Sequence, residues 1–214
     1  MKRERAPIAI EGIPFVVIAG VISLIFYLAG LIIPAVLFSL VTLFIIWFFR
    51  NPDRNVPAGD NIVISPADGK IIDIKEGDES RILKKRMIKI SIFMNLFNVH
   101  VNRLPCTGKV VEILYNPGKF VSANLEKASL ENEQNAVVLE TTAGEKIIFI
   151  QIAGLIARRI VCWLKEGDYG VKGQRFGLIR FGSRVDVYLP VGTDVKVSLG
   201  QKVKAGESVL AIMK

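Results

Sequence analysis

The sequence predicts a mainly β protein: a barrel-like or sandwich-like domain that ends in a biotinyl- or lipoyl-like β segment and follows an N-terminal α-helical hairpin. Two observations support this fold class. The run from Ile13 to Phe49 is apolar and uncharged, whereas the rest of the chain alternates short β-branched segments with Gly, Pro, Asn and Asp. These segments follow one another without intervening helical patterns, which favours antiparallel strands over βαβ units.

The apolar run predicts two helices, because one membrane-spanning helix needs only about 20 apolar residues. Gly30 and Pro34 interrupt its middle, so we expect two helices of about 16 to 18 residues that span the membrane or dip into it as a monotopic hairpin. A cleaved signal peptide is not expected, since the run far exceeds an h-region. Basic residues on both flanks place both ends on the cytoplasmic side of a cell membrane: Lys2, Arg3, Arg5, Arg50 and Arg54.

The composition predicts three segments along the chain. Residues 1–49 form the anchoring hairpin, residues 50–60 a polar, Pro-punctuated linker, and residues 61–214 the main domain. A polar stretch between 120 and 135 is expected to be a loop or short helix. Strands are expected at 62–65, 70–74, 87–93, 109–115, 136–141, 146–152 and 159–164.

The C-terminal residues 185–213 alternate Val with polar residues and turn at Gly192, Gly200 and Gly206. This pattern is typical of half a small β-barrel of the biotinyl or lipoyl type. Such carriers hold a modified lysine in a mid-domain hairpin, whereas here Ile-Met-Lys closes the chain at Lys214. A carrier function therefore lacks its attachment site.

The net charge of +8 suits an anionic lipid surface, which attracts each nearby Lys or Arg by about 1 kcal/mol. A nucleic-acid partner is not expected, because no aromatic interleaving or recognition module accompanies the charge. One histidine and two distant cysteines, Cys106 and Cys162, cannot assemble a usual zinc site, and both cysteines are expected to be reduced, buried small hydrophobes. The densest basic cluster consists of Arg81, Lys84, Lys85, Arg86 and Lys89.

Three short motifs hold residue types that could perform chemistry. His100 lies in Asn-Val-His-Val-Asn-Arg, Asp68 in the turn-forming Ser-Pro-Ala-Asp-Gly-Lys, and Gly182 precedes Ser183 in an apolar, strand-like run. Taken singly, each has an ordinary structural explanation: a core histidine, a turn aspartate, a β-bulge glycine and a solvated serine. The Ser183 hydroxyl is nevertheless one side chain away from the Gly182 carbonyl, so an attack on that peptide bond is geometrically possible.

Together, PADG, VHVNR and FGSRVDVYLP, in this order behind an apolar hairpin, resemble the short-form phosphatidylserine decarboxylase proenzymes. FRNPDR, ENEQN and GQRFGLIRFGSRVD extend the resemblance from about Phe49 to the C-terminus. It implies a membrane-bound carboxy-lyase of phospholipid biosynthesis that converts phosphatidylserine to phosphatidylethanolamine. It also implies a partnership with the lipid surface and between the chain's own two cleavage fragments, and leaves a higher oligomer open.

The resemblance implies a pyruvoyl enzyme that makes its prosthetic group from its own chain, with no metal and no pyridoxal phosphate. Ser183 attacks the Gly182 carbonyl, the chain separates into 1–182 and 183–214, and Ser183 becomes the pyruvoyl group. That group forms a Schiff base with phosphatidylserine, which then loses CO2. By the logic of hydrolytic triads, His100 serves as the base and Asp68 orients it, and His100 is also the candidate proton donor to the carbon that loses CO2.

One departure from the longer-form pattern concerns Arg103, which occupies the place of a second histidine. Either His100 serves both cleavage and decarboxylation, or Arg103 or a water takes one role. Two other functions remain open at this stage: decarboxylation of an ether-linked, archaeal-type phosphatidylserine analogue, and a non-enzymatic membrane-anchored scaffold of biotinyl-like fold. A peptidase would need several metal-binding histidines, and a phosphocarrier a suitably paired one.

Overall fold

The computed structural model describes residues 6–79, 81–118, 132–154, 159–180 and 182–214. The chain forms two compact units, Met1–Asp53 and Arg54–Lys214. The division between them falls inside the linker expected over residues 50–60. The polar stretch expected to be a loop or short helix lies mostly outside the described residues.

The N-terminal unit is a helical hairpin. A 3-10 turn, Ile10–Gly12, leads into α1, Ile13–Leu28, which is followed by α2, Ile32–Phe48. The helices break around Gly30, whose φ of +75° suits a residue without a side chain. Pro34 lies inside the first turn of α2, where its missing N–H has no helical partner to lose. The two predicted helices and their lengths are therefore confirmed.

Polar and aromatic contacts join the two helices within the hairpin. The Ser23 hydroxyl donates to the Ala35 carbonyl at 2.8 Å and lies 2.8 Å from the Ser39 hydroxyl. The rings of Phe26 and Phe38 stack at 5.6 Å between centroids. These contacts satisfy the few polar side chains of the pair internally, as an apolar solvent requires.

The outer surface of the hairpin is apolar. Leu28 and Ile33 are 75% and 85% exposed, and most other large side chains of both helices are also exposed, to a smaller degree. In the described part of the chain, Ile10–Leu28 is the one helix long and apolar enough to cross a membrane, and α2 is a shorter apolar helix. Such a surface suits hydrocarbon better than water, which supports membrane association.

The second unit is a β structure whose recorded strand pairs are all antiparallel. Its described strands, in chain order, are β1 (Ile62–Ile64), β2 (Gly69–Glu79), β3 (Lys85–Met94), β4 (Val101–Arg103), β5 (Gly108–Asn116), β6 (Gln134–Thr141), β7 (Lys146–Ala153), β8 (Ile160–Cys162), β9 (Tyr169–Gly170), β10 (Arg175–Ile179), β11 (Ser183–Pro190), β12 (Asp194–Val195), β13 (Lys202–Val203) and β14 (Val209–Ile212).

The strands form one large sheet and two small ones. The large sheet has the order β13-β2-β3-β11-β7-β6-β5-β9, and the small sheets have the orders β1-β14-β12 and β4-β10-β8. The mainly β fold and its antiparallel pairing are confirmed. The C-terminal segment contributes β11 to the middle of the large sheet, β13 to one of its edges, and β12 and β14 to a small sheet.

Strand β11 lies between β3 and β7 and is buried on both faces. Val185, Val187 and Leu189 point into the main apolar core, where each is fully buried. Arg184 and Asp186 occupy the opposite face, together with Tyr188. The alternation predicted for this segment is therefore present, but its second face is covered as well.

The region around Gly182 differs from the continuous strand that the sequence suggested. Strand β10 ends at Ile179, and Gly182 lies in a bend with φ of +47°, directly before β11. Ser183 is the first residue of β11 and is fully buried, so it is not a solvated strand position. The apolar pattern could not reveal this break, because both strands on either side of it are apolar.

Candidate functional site

Asp68 lies in a tight turn between β1 and β2, as expected. The Ser65 hydroxyl donates to the Ala67 carbonyl at 2.7 Å and closes the turn around Pro66. Gly69 then opens β2 so close to β3 that an added Cβ would lie 2.2 Å from the Phe93 carbonyl oxygen. The turn therefore has a fixed position at the end of β3, and its aspartate is buried.

The Asp68 carboxylate is held by a cation and a backbone amide. Arg54 Nη2 donates to both carboxylate oxygens, at 3.0 and 3.1 Å, and the Ala205 N–H donates to Oδ1 at 2.8 Å. Arg54 also lies 3.7 Å from Glu207. In the sequence, Arg54 stands out only as a charge flanking the apolar run, because nothing in its spacing connects it with Asp68.

His100 is buried directly before β4. Its Nδ1 lies 3.0 Å from the Asn98 carbonyl oxygen. A carbonyl oxygen can only accept, so this bond requires a hydrogen on Nδ1, and neutral His100 then carries its lone pair on Nε2. The Asn98 carbonyl thus fixes the ring tautomer that a base acting through Nε2 needs.

Ser183 begins β11 between two strands, with Met94 opposite it on β3 and Ala153 opposite it on β7. Its hydroxyl donates to the Met94 sulfur at 3.4 Å. The preceding Gly182 has a backbone conformation that side chains strain, although no atom lies within 4 Å of where its Cβ would be. Glycine is therefore needed here for its conformation and not to avoid a clash.

The strand register brings the three expected residues to the same end of β3. Lys70 pairs with Phe93, which places the Asp68 turn beside the end of β3, while Ser183 pairs with Met94 on the other side. His100 follows β3 after a short loop. The hydrogen bonds of the Asp68 and Ser183 side chains go to Arg54, Ala205 and Met94 within the described residues, so neither side chain bonds directly to the imidazole.

Arg103, the residue considered as an alternative to His100 for one proton transfer, is buried in β4. Its Nη1 donates to the Gly173 carbonyl at 2.9 Å, and its backbone N–H donates to the Pro66 carbonyl at 2.9 Å. An added Cβ on Gly206 would lie 2.8 Å from Arg103 Cδ. The guanidinium therefore binds the Gly173 carbonyl, the backbone N–H of Arg103 supports the Asp68 turn, and the aliphatic part of the side chain packs against Gly206 of the C-terminal segment.

An ion pair lies directly after Ser183, on the opposite face of β11. Arg184 Nε and Nη2 donate to the two oxygens of Asp186 at 2.6 and 2.7 Å, and both residues are buried. Burial lowers the pKa of Arg184, but the hydrogen bond to Asp186 and the charges of Asp186, Tyr188 and Asp73 together leave that pKa above its ordinary value. Both residues belong to the FGSRVD motif, but nothing in the sequence indicates that they pair.

The two cysteines are free. Cys106 is buried in the main core, and desolvation raises the pKa of its thiol to about 12. Cys162 is only half-buried: desolvation raises the pKa of its thiol, while hydrogen bonds with the Leu164 backbone and the Asn135 side chain partly lower it. The expectation of a buried thiol therefore holds for Cys106 and not fully for Cys162.

The basic cluster forms part of the β2–β3 hairpin and its connection. Glu79 accepts bonds from four backbone N–H groups of that connection, those of residues 81–84. Arg86 pairs with Glu76 at 2.8 Å and Lys89 with Asp73 at 2.9 Å. Ion pairs thus neutralise part of the cluster.

Comparison with known proteins connects this site to one family. The model of the family described as phosphatidylserine decarboxylase matches residues 41–211. A phosphatidylserine decarboxylase proenzyme of Geotalea uraniireducens is 53% identical over 213 residues, which cover 100% of both chains. A proenzyme of the same name from Syntrophus aciditrophicus is 55% identical, and the alignment covers 95% of this chain and 96% of that protein. Another from Geobacter metallireducens is 50% identical, and the alignment covers 100% of both chains. The chain described here therefore belongs to the phosphatidylserine decarboxylase family.

Proposed function

We propose that this chain performs its family's reaction, the decarboxylation of phosphatidylserine to phosphatidylethanolamine, after cutting itself between Gly182 and Ser183. The observation that carries the self-cleavage is the geometry of this bond. A glycine with φ of +47° precedes a fully buried serine, at the point where the chain enters a central strand. The bond thus combines the carbonyl of a residue without a side chain with a hydroxyl kept away from bulk water.

Cleavage begins when the Ser183 hydroxyl attacks the Gly182 carbonyl carbon and transfers its proton to a base. His100 is the proposed base, because the bond between its Nδ1 and the Asn98 carbonyl leaves Nε2 as the basic atom. The peptide nitrogen departs as an amine and an ester joins the two residues. Loss of a proton from the Ser183 α-carbon then expels Oγ with Gly182 as a carboxylate, which leaves dehydroalanine at position 183. Water converts dehydroalanine to the pyruvoyl group and ammonia leaves.

The role of Asp68 as the group that orients His100 stays a prediction. The bonds recorded for its carboxylate are those to Arg54 and Ala205, and the Asn98 carbonyl holds His100 Nδ1. Ala205 belongs to the expected fragment 183–214, and Asp68 to the fragment 1–182. Asp68 therefore also fastens the C-terminal fragment to the rest of the unit.

The expected fragment 183–214 remains in place after cleavage because its first strand is central. Strand β11 is paired along its length with β3 and along most of it with β7. In the same fragment, β13 pairs with β2 and β14 with β1. The new N-terminus therefore stays between Met94 and Ala153, so the two fragments function as one heterodimer.

The site fits a pyruvoyl group made from Ser183. Such a group supplies a ketone conjugated with a carbonyl, which acts as an electron sink when the substrate loses CO2. Ser183 is fully buried, so the surrounding chain excludes bulk water from this position. His100, at the same end of β3, is the proposed proton donor to the carbon that loses CO2, and Arg103 or a water remains an alternative for one of the two proton transfers.

The N-terminal hairpin is the proposed link to the lipid surface. Arg50 follows α2, and its guanidinium lies 3.9 Å from the Trp47 ring centroid, an arrangement common at membrane interfaces. We place both ends of the hairpin, and hence the β unit, on the cytoplasmic side of the cell membrane. An ether-linked phosphatidylserine analogue is the alternative substrate, and vesicles of each lipid distinguish the two.

The substitution Ser183→Ala tests self-cleavage. Intact mass should show a single uncut, inactive chain, whereas the unaltered protein should show fragments 1–182 and 183–214 with a blocked N-terminus on the smaller. Ser91→Ala is the matched control, because Ser91 is also a fully buried serine of the central sheet; it should be cut normally. Two normal fragments from Ser183→Ala would disprove the assignment, and one uncut chain from the unaltered protein would favour the scaffold alternative.

The substitution His100→Ala tests the base. It should slow cleavage by about 100-fold or more, in line with the usual contribution of a positioned base. If processing and lipid decarboxylation both survive in this variant, His100 is not the base.

A further inference from the structure

Three buried amide side chains form a chain that ends at Met94, the residue whose sulfur also accepts the Ser183 hydroxyl. Asn135 Nδ2 donates to Gln151 Oε1 at 3.1 Å, and Gln151 Nε2 donates to Asn102 Oδ1 at 2.9 Å. Asn102 and Gln151 are fully buried, and Asn135 is 4% exposed. These three residues are called the amide chain below. Burying three amides in the middle of an apolar core is costly unless they are bonded in one orientation.

The amide chain determines which end of Asn102 faces the site. Because Gln151 donates to Asn102, the Asn102 oxygen points toward β7 and its NH2 group points away from it. That NH2 group lies 3.8 Å from the Met94 sulfur and 3.4 Å from the Pro66 carbonyl oxygen. Both distances are long for hydrogen bonds, so the donor is held in place without being strongly used.

The same Met94 sulfur accepts the Ser183 hydroxyl, at 3.4 Å. A single sulfur atom therefore lies between the serine to be cleaved and the Asn102 amide. When Oγ leaves with Gly182, the sulfur loses this hydroxyl, and the Asn102 NH2 group remains beside the altered position 183. A neutral, fully buried donor that shares an acceptor with the serine hydroxyl is well suited to stabilise negative charge that develops on an oxygen during cleavage.

We propose that Asn102 is the hydrogen-bond donor of this site, and that Gln151 and Asn135 are positioning residues that aim it. The inference rests on the proposed self-cleavage at Ser183. During that reaction the attack of Oγ forms a C–O bond at Gly182 and leaves negative charge on the former carbonyl oxygen. The Asn102 N–H stabilises this charge until the C–N bond breaks and the ester forms. The amide neither gains nor loses a proton overall.

Substitutions of Asn102 test the donor. Asn102→Leu has nearly the same volume and no donor, and should slow cleavage of freshly refolded or newly synthesised chain by about 100-fold, the usual effect of removing one such donor. Asn102→Asp replaces the NH2 group with an oxygen that donates only when protonated. The ratio of its cleavage rate to that of the unaltered chain should therefore rise as the pH falls, since protonation of His100 slows both chains alike, and a packing defect would not reproduce this rise. If Asn102→Leu does not fold, the pH profile of Asn102→Asp decides alone.

Substitutions of Gln151 test the positioning role. Gln151→Leu should slow cleavage by about tenfold, and the double variant with Asn102→Leu should be no slower than Asn102→Leu alone, because Gln151 acts only through Asn102. Gln174→Leu, which removes a glutamine that accepts from the Val171 N–H in a loop, should cleave at the normal rate. Additive losses in the double variant would refute the positioning role.

The two proposals fail in different ways. If Ser183→Ala remains uncut but Asn102→Leu cleaves at the normal rate and Asn102→Asp shows no recovery at low pH, self-cleavage stands and the donor role is wrong. If the unaltered chain is never cut, the proposed self-cleavage is wrong, and the donor role falls with it.

Discussion

Breaking the ion pair between Arg54 and Asp68 should destabilise the β unit far more than breaking a shorter pair on its surface. Arg54 Nη2 lies 3.0 Å from Asp68 Oδ2, and the two side chains are 10% and 12% exposed. Arg86 and Glu76 lie closer together, at 2.8 Å, but are 66% and 43% exposed. If burial and not distance determines the energy, Arg54→Met should be the damaging substitution, and Arg86→Met the harmless control.

The loss of stability in Arg54→Met depends on which charges and hydrogen bonds remain around Asp68 after the substitution. Removing one partner of a buried pair costs about 3–5 kcal/mol because a charge stays buried. Here the Ala205 N–H still serves Asp68 Oδ1 and the pair is slightly exposed, so we expect about 2–3 kcal/mol. An exposed pair contributes about 0–1 kcal/mol. For a unit of this size, the melting temperature should fall by about 4–12 °C for Arg54→Met and by less than about 4 °C for Arg86→Met.

The assay is thermal unfolding of the full chain in detergent, with each substitution made in the Ser183→Ala background so that cleavage does not differ between samples. Adding Asp68→Asn to Arg54→Met should recover part of the loss, because the neutral amide keeps an acceptor for Ala205 and no longer leaves a charge buried. Equal shifts for Arg54→Met and Arg86→Met, or no recovery in the double variant, would refute the reasoning.

Three further predictions concern other parts of the unit. Gly177→Ala should lower the free energy of unfolding by about 1–3 kcal/mol or more, since the new Cβ would lie 2.1 Å from the Val161 carbonyl oxygen. Gly77 also lies in a strand but has open space around it, so Gly77→Ala should change the free energy of unfolding by no more than about 0.5 kcal/mol. The difference in free energy of unfolding between the unaltered protein and Cys106→Ala should be constant below about pH 9 and shrink toward pH 12. Burial raises the pKa of the Cys106 thiol from 9.0 to about 12, so between these values only the unfolded chain loses the proton. A constant difference in free energy of unfolding across that pH range would contradict the raised pKa. After cleavage, a tag on the 183–214 fragment should retain the 1–182 fragment until the protein is denatured, since β11 pairs with strands on both sides; separation in native buffer would show that the central strand does not hold it.

Local sequence patterns were sufficient to predict the two helices and most of the strands and to identify the motifs. The uncharged run predicted two helices, the β-branched segments predicted most strands, and PADG, VHVNR and FGSRVDVYLP were enough to indicate the family. The break at Gly182 was not predictable, because hydropathy does not distinguish one long apolar strand from two strands separated by a bend. In the folded chain, β10 and β11 belong to different sheets, and Gly182 has a positive φ at the bend that precedes β11.

The sequence by itself determined the hairpin and the antiparallel β unit, since both depend on spacing within a few neighbouring positions, and its resemblance to a known family supplied the candidate residues Asp68, His100 and Ser183. The tertiary structure alone decided their partners. Arg54 holds Asp68, the Asn98 carbonyl holds the imidazole, and the amide chain reaches Ser183 through Met94. Most of these partners lie on different strands, and strand order and register, which bring such residues together, are set by packing across the whole sheet and not by local sequence.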